Sequence, residues 1–287
     1  MNKAEIVFNS YDEEIEKQYN IILEDKQMRE ALHNDSSYIR EVLEKNMEQW
    51  ETRPIAELDN ITPAEYFDAL DSTDIILDNF KIGACICEAN LPGLFIKKLD
   101  EHKLSLVQEM ISMAINTDLM KNNTEYFIPL VAMRMLGRWQ VKEAAEALVK
   151  FITFESSNDE LFLETAADTI YKIGQPAVEL LLDRLEGIEE VKEGHKYLMS
   201  ALTKICRNNK TDRVYKCLKN IFLKMDDKEL GAAYIAEYGD GRVIPALRGY
   251  LIKNNGKIRK AEFFEIMSAI QKLGGNVDDL QISYINN

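Results

Sequence analysis

The chain has 287 residues, of which 46% are hydrophobic and 29% charged, and its 49 acidic residues exceed its 35 basic residues. This apolar share can form a buried core and argues against a disordered chain. The formal charge of -14 argues against a protein that coats nucleic acid or anionic membrane over its whole surface. With only 13 glycines and 6 prolines, long helices joined by short turns are favoured over a β-sandwich or barrel.

Sorting signals and cysteine spacing indicate the compartment. No apolar run of signal-peptide length follows the first residues, and no apolar stretch of about 18 residues could form a membrane helix. The spacing of the four cysteines does not match the C-x-x-C pattern of a zinc or redox centre: Cys85, Cys87, Cys206 and Cys217. We therefore predict a cytoplasmic protein with buried free thiols, no cofactor, no bound metal and no membrane association.

Helix start signals divide residues 1–125 into a series of helices without a measurable period. Ser10 to Glu13 has the capping-box pattern, in which a hydroxyl and a glutamate satisfy each other's backbone amides. Thr62 to Glu65 adds a proline at the first helical position to the same pattern. Further helix starts are predicted near Ser72 and Asn90. This region is expected to be helical and irregular.

Residues 126–287 show a repeating pattern of helix pairs. Their apolar helical stretches end at positions 137, 174, 207, 239 and 274. A recurring interval of about 35 residues that holds two helices is the signature of a helical solenoid. The residues in the predicted turns support this interpretation, because Gly174 can adopt a left-handed cap and Pro176 can restart a helix. Gly239 and Pro245 repeat this arrangement.

Two of these stretches, 166–181 and 238–247, resemble HEAT repeats, specifically the short repeats of phycobilisome-lyase-like proteins. In that family an alanine-rich helix ends in Leu-Gly or Ile-Gly, and a short turn with proline leads into a leucine-rich helix. The resemblance covers about residues 126–285, and Cys206-Arg207 departs from it by lacking the glycine. It implies an all-α, HEAT-like α-solenoid of about five helix pairs over 126–287, preceded by an irregular acidic helical region over 1–125.

No arrangement of catalytic residues is recognisable. The histidines lie far apart and lack the spacing of a metal site: His33, His102 and His195. Glu160, Glu164 and Asp168 share one helical face, for which we expect a solvated acidic surface rather than acid–base chemistry. We therefore predict no catalytic and no metal-binding residues, and a protein that is not an enzyme.

The charge is distributed unevenly along the chain. Residues 1–125 hold 26 acidic and 12 basic residues, whereas residues 126–287 hold 23 of each. Within the repeats, residues 139–195 hold 13 acids and 5 bases, and residues 196–260 hold 15 bases and 6 acids. The basic block predicts a local anionic partner. That partner could also be the acidic N-terminal region of the same or another copy.

The basic block contains the candidate partner-binding residues. Arg213, Lys216 and Lys224 share one helical stripe opposite an apolar stripe, so they face solvent if the apolar stripe packs. The candidates are Lys204, Arg207, Lys210, Arg213, Lys216, Lys219 and Lys224, together with Lys196, Tyr197, Tyr234 and Tyr238 on the helices expected to line the inner face.

These observations favour a non-catalytic HEAT-like scaffold or adaptor that binds a protein or peptide partner, an acidic one by preference, in an undetermined oligomeric state. One alternative is a nucleic-acid-binding protein similar to HEAT-like DNA glycosylases that uses residues 196–260. The net charge and the lack of aromatic residues beyond Tyr215 weigh against it. The family resemblance suggests a second alternative, a lyase or chaperone for a tetrapyrrole. A solvated basic face without a dedicated partner is the remaining alternative.

Overall fold

The computed structural model of this protein describes residues 2–25, 45–88, 90–154, 159–280 and 283–285. Within these ranges nearly all regular structure is helical, which confirms the all-α prediction. Residues 45–52 are helical, and the other helices are α1 (Lys3–Glu24), α2 (Pro63–Asp68), α3 (Thr73–Ile86), α4 (Gly93–Glu101), α5 (Lys103–Ala114), α6 (Thr117–Lys121), α7 (Phe127–Arg138), α8 (Ala144–Phe154), α9 (Glu160–Ile173), α10 (Val178–Leu185), α11 (Glu193–Cys206), α12 (Asp212–Lys224), α13 (Lys228–Tyr238), α14 (Ile244–Lys253) and α15 (Lys260–Lys272).

The chain also forms shorter elements. Single 3₁₀ turns lie at Ala56–Leu58, Gln175–Ala177 and Gly241–Val243. Two-residue strands β1 (Ile258–Arg259) and β2 (Tyr284–Ile285) pair in parallel. None of the described helices combines the length and apolar character needed to cross a membrane.

The chain divides into two compact units, Met1–Met135 and Leu136–Asn287. The division falls within α7, whereas the sequence-based boundary was placed before it, at residue 125. In the first unit α1 packs against α3, and α2 packs against α4. The core of this unit contains the rings of Phe8, Phe67 and Phe95, whose centroids lie 5.3 to 5.7 Å apart.

The start of α1 differs from the prediction. Asn2 caps the helix and shares a capping box with Glu5, so the helix begins before Ser10. Ser10 lies inside α1, where its hydroxyl accepts a hydrogen bond of 3.1 Å from the indole N–H of buried Trp50. The Ser10–Glu13 prediction was wrong because the apolar stripe of α1 already starts at Ala4 and Val7 and runs through this position.

The other predicted starts in this unit lie close to the observed helix ends. The Thr62 hydroxyl accepts a hydrogen bond from the Glu65 amide, and the Glu65 carboxylate accepts one from the Thr62 amide, which confirms that capping box. Helix α3 begins directly after Ser72, although the serine side chain makes no cap hydrogen bond. Helix α4 begins at Gly93, three residues after Asn90.

The second unit is built from two rows of packed helices. In one row α9 packs against α11, α11 against α13, and α13 against α15. In the other row α8 packs against α10, and α10 against α12. Successive helices therefore alternate between the rows, and each pair contacts the next pair along the chain. The buried faces of α8, α9 and α11 contain several alanines and leucines.

Hydrogen bonds between successive helix pairs connect residues that are about one repeat apart. The shortest sequence separation among them is 27 residues, from the Thr211 amide to the Tyr238 hydroxyl. The longest is 36 residues, from the Lys224 ammonium to the Ile188 carbonyl. Each pair is therefore held by its immediate neighbours.

The turns between the two rows follow two patterns. Gly239 ends α13 in the left-handed region, as predicted. Gly174 also ends its helix with positive φ, but its ψ of -139° lies outside the left-handed helical region, so the left-handed cap predicted there was wrong. Each is followed by a 3₁₀ turn that leads into the next helix. Helix α11 ends at Cys206 without a glycine, and the chain reaches α12 through the N-cap residue Thr211.

The helix end predicted at Gly137 lies one residue early, and the role of Gly137 as the cap was wrong. Gly137 lies within α7, and the residue with positive φ is Gln140. A glycine is needed at position 137 for packing. A Cβ there would lie 3.1 Å from Lys172 Cδ and 3.4 Å from Thr169 Cα. The glycine thus permits the close approach of α7 and α9.

The four thiols are free, and three of them are buried. Cys85 is the half-buried one. Burial raises the pKa of both Cys87 and Cys217 to about 12. These two thiols are therefore protonated at neutral pH and serve as small apolar side chains, as predicted.

We predict that Gly194→Ala destabilises the protein by about 1–3 kcal/mol, because a Cβ at this position would overlap the Ile152 backbone carbonyl, which cannot move independently of α8. Urea unfolding measured by circular dichroism tests this. The matched control is Gly249→Ala in α14, where nothing lies within 4 Å of the added Cβ. The control is expected to be neutral or stabilising by about 1 kcal/mol, and equal loss in both variants would contradict the prediction.

Candidate functional site

A groove runs along the edge of the second unit where α7, α9 and α11 end. Its volume is about 670 Å³. Its charged lining residues are all cations: Arg138, Lys172, Lys204 and Arg207. The remaining lining residues are uncharged: Gly137, Gln140, Tyr171, Ile173, Gly174, Gln175, Ile205 and Asn208. We call this surface the turn-edge groove.

The cations of the turn-edge groove occupy related places in the fold. Arg138, Lys172 and Lys204 lie in the last turns of α7, α9 and α11. Arg207 follows directly after α11. Basic side chains are favourable at helix C-termini, where the backbone carbonyls carry partial negative charge. Because the three helices end at the same edge, these local preferences place four cations around one concavity.

Two of the four cations are available to an external anion. Lys172 forms an ion pair of 2.7 Å with Asp168, one turn earlier on α9. Within the described part of the chain, no ion pair involves Lys204 or Arg207. The backbone carbonyl of Lys172 accepts a hydrogen bond of 3.1 Å from the Gln140 amide, which fixes the turn after α7 against the end of α9.

The predicted stripe on α12 is exposed, but its principal cation is already neutralised. Arg213 contacts three carboxylates of or just after α10: Glu179 at 2.6 Å, Asp183 at 3.1 Å and Glu186 at 2.9 Å. Its guanidinium meets Glu186 in a bidentate pair. This pair lowers the pKa of Glu186. The stripe therefore joins two neighbouring helix pairs at this point.

Several other predicted cations also have intramolecular partners. The Lys210 ammonium donates a hydrogen bond of 2.7 Å to the Gly239 carbonyl, and the Lys224 ammonium donates one to the Ile188 carbonyl. The Lys219 ammonium lies 5.8 Å from the centroid of the Tyr215 ring. Lys216 is exposed beside a smaller pocket of about 230 Å³ that Glu186 also lines.

The predicted residues on α11 and α13 divide between surface and core. Lys196, which is half-buried, pairs with Glu193 at 2.8 Å and approaches Asp227 at 4.0 Å. Tyr197 is also half-buried, and its pKa is raised by burial and by nearby carboxylates. Tyr234 is half-buried as well, with a raised pKa due to burial. This surface therefore has acidic and aromatic character.

Tyr238 is only 2% exposed, so it belongs to the core rather than to an accessible surface. Its hydroxyl accepts a hydrogen bond from the Thr211 amide and donates one to the Thr211 carbonyl. The prediction that Tyr238 binds a partner was wrong, because this hydroxyl is used to hold the turn between α11 and α12.

The remaining sequence candidates have structural roles in the described chain. His195 lies in the first turn of α11, where its Nδ1 accepts a hydrogen bond of 3.0 Å from the Lys192 amide. Burial lowers its pKa, so it is neutral at physiological pH. Glu160, Glu164 and Asp168 are exposed, as expected for a solvated face. His33 lies outside the described residues, and the described ranges contain no group of three potential metal ligands.

Sequence reasoning missed Arg138 and Lys172, because both lie outside the basic block 196–260. A usable signal was present: a basic residue occupies the last turn of α7, α9 and α11 alike. That regularity becomes visible only when the helices are aligned by their C-terminal ends.

Comparison with known proteins yields no relative: neither a protein-family model, nor a curated protein, nor a solved structure matches the chain.

We predict that Arg213→Gln raises the pKa of Glu186 towards its ordinary value of 4.5, because the guanidinium is the main group that lowers it. A carboxylate with a lowered folded-state pKa stabilises the fold above its unfolded pKa, and this contribution is lost as the pH falls through the folded value. Side-chain carboxyl NMR titration measures the shift. As a control, Arg248→Gln should raise the pKa of Asp279 and leave Glu186 unchanged. An unchanged Glu186 midpoint in Arg213→Gln would rule out the pairing.

Proposed function

We propose that this protein is a non-catalytic, HEAT-like interaction scaffold, and that its second unit binds an acidic segment of a protein partner in the turn-edge groove. The observation that carries the proposal is the lining of this groove, where four cations and no carboxylate surround about 670 Å³. Two of those cations, Lys204 and Arg207, have no ion-pair partner within the described chain.

The packing of the second unit supports the solenoid part of the proposal. Its helices alternate between two rows, and the hydrogen bonds between pairs span 27 to 36 residues. Helical solenoids have this nearest-neighbour organisation, and they use extended surfaces that cross several repeats for binding. The turn-edge groove is such a surface, since residues at the ends of α7, α9 and α11 form it.

The charges around the groove favour a protein segment over a nucleic acid. A DNA duplex carries one charge per about 1.7 Å of helix axis and needs a long run of cations. Residues 139–195, which supply part of this edge, hold 13 acids and 5 bases. Tyr171 is the one aromatic residue among the groove's lining residues, so base stacking has little support. A short acidic segment needs only the four cations present.

We propose a cytoplasmic location for this scaffold. All four cysteines are free in the structure, which agrees with a reducing compartment.

We predict that the double variant Lys204→Glu/Arg207→Glu weakens binding of a fluorescein-labelled Glu/Gly/Ser peptide by about tenfold or more, because it replaces two attractions with two repulsions. Fluorescence anisotropy of the full-length protein at low salt measures the affinity. The matched control is Lys253→Glu/Lys257→Glu, which changes the net charge equally at exposed positions outside the groove.

The outcomes of this experiment separate the candidate functions. Selective loss in the groove variant supports the proposal. Equal loss in both variants, or no peptide binding by the wild type, would contradict it. A labelled single-stranded oligonucleotide serves as competitor, and tighter binding of that oligonucleotide through Lys204 and Arg207 would favour the nucleic-acid alternative instead. If peptide binding is lost in Lys216→Glu/Lys219→Glu and kept in the groove variant, the binding site lies on α12 instead.

A further inference from the structure

We infer that a pocket between α10 and α12 binds a small carboxylic acid with an apolar body, either an aromatic acid or a short aliphatic one. The volume of this pocket is about 230 Å³. It shares no lining residue with the turn-edge groove, so the inference goes beyond the proposed function. We call it the α12 pocket.

The α12 pocket lies along one face of α12. Five of its lining residues recur on this helix at a spacing that keeps them on one side: Lys216, Cys217, Asn220, Ile221 and Lys224. The opposite wall is residues 185–188, at the end of α10 and in the loop after it. Because α10 packs against α12, the pocket lies between two neighbouring helix pairs.

Two contacts fix the loop after α10 against α12. Near the start of α12, the Arg213 guanidinium pairs with Glu186 at 2.9 Å. At the end of α12, the Lys224 ammonium donates a hydrogen bond to the Ile188 carbonyl. The pocket residues 216–221 lie between these two contacts along the helix. Contacts within the chain therefore hold both walls of the pocket in place, as in most small-molecule sites.

The buried part of the pocket lining is apolar. Leu185, Cys217 and Ile221 are each at most 4% exposed. The Cys217 thiol is protonated at neutral pH, because burial raises its pKa to about 12. An apolar ligand body suits this surface, since a polar group there would lose its hydration without gaining a partner. A cavity of about 150 Å³ holds benzene, so a pocket of about 230 Å³ admits a six-membered ring with one small substituent.

The mouth of the pocket has polar side chains that are available to a ligand. Lys216 and Asn220 are exposed lining residues one turn apart on α12. Among the described residues, no hydrogen bond or ion pair involves either side chain. Lys216 contributes to the lowered pKa of Asp212, but that carboxylate is hydrogen-bonded to Arg242. An ammonium and an amide N–H together are suitable donors for a carboxylate.

The other charged groups of the lining already have partners. The Glu186 carboxylate forms a bidentate pair with Arg213, which lowers its pKa and offsets its repulsion of an anion. Lys224 is held by the Ile188 carbonyl. A carboxylate is favoured over a phosphate dianion, because three strongly accepting phosphate oxygens would need more donors than Lys216 and Asn220 supply.

We predict that benzoate binds the full-length protein with a dissociation constant of about 1–10 mM, as expected for so small a ligand. A titration followed by amide NMR measures the affinity and should place the shifts at residues 185–188 and 216–224. Benzamide, which lacks the charge, and acetate, which lacks the ring, should each bind about threefold or more weakly.

Variants of Lys216 test whether its charge contributes to binding. Lys216→Gln should weaken benzoate binding by about threefold to fivefold because the ion pair is lost, whereas Lys216→Arg should retain it. Lys219→Gln is the matched control on the same helix, outside the lining, and should leave the affinity unchanged. The groove variant Lys204→Glu/Arg207→Glu should also bind benzoate normally, so this test is independent of the proposed function.

Saturable shifts at the α12 pocket that weaken in Lys216→Gln support the inference. It would be overturned by a lack of saturable shifts, by equal affinities for benzoate and benzamide, or by an unchanged affinity in Lys216→Gln. N-acetyl-phenylalanine represents the C-terminus of a peptide. Tighter binding of this compound than of benzoate would overturn the assignment to a small free acid and point to a protein terminus instead.

Discussion

The constraint on which the second unit depends is the packing of each helix pair against the next pair. A single pair cannot bury both of its apolar faces, so α9, α11, α13 and α15 cover one another in sequence. Polar contacts follow the same order, because a residue of one pair meets the corresponding region of the next. The ion pairs of Arg213 with α10 are one example. The turn-edge groove is a consequence of this order, since stacked helices must end side by side.

The same stacking determines which cations are available for binding. A cation on the surface between two pairs lies close to the neighbouring pair's carboxylates and is neutralised there, as Arg213 is. A cation at the C-terminal end of a helix lies at the edge of the stack, and two such cations have no ion-pair partner among the described residues. Lys204 and Arg207 are in this position. Position in the stack therefore decides whether these cations are paired within the chain, whereas charge density along the sequence does not.

Much of the fold could be predicted from local sequence, and most of the site could not. The Thr62 capping box and the left-handed cap at Gly239 were predictable because they depend on residues within one turn. The helix start at Ser10 and the cap role of Gly137 were mispredicted because the roles of these residues depend on partners outside their own helical turn. Trp50 and Thr169, which explain the roles of those two residues, are distant in sequence.

The sequence by itself determined the helical class, the interval of the helix pairs, and the location of the basic block in residues 196–260. These properties depend on apolar periodicity, capping residues and composition, all of which are local. Only the tertiary structure decided that Arg213 is neutralised, that Tyr238 is buried, and that Lys204 and Arg207 join Arg138 and Lys172 around one groove. The physical reason is that electrostatic and packing partners are set by which helix ends become neighbours, and that depends on the stacking of residues about one repeat apart in the chain.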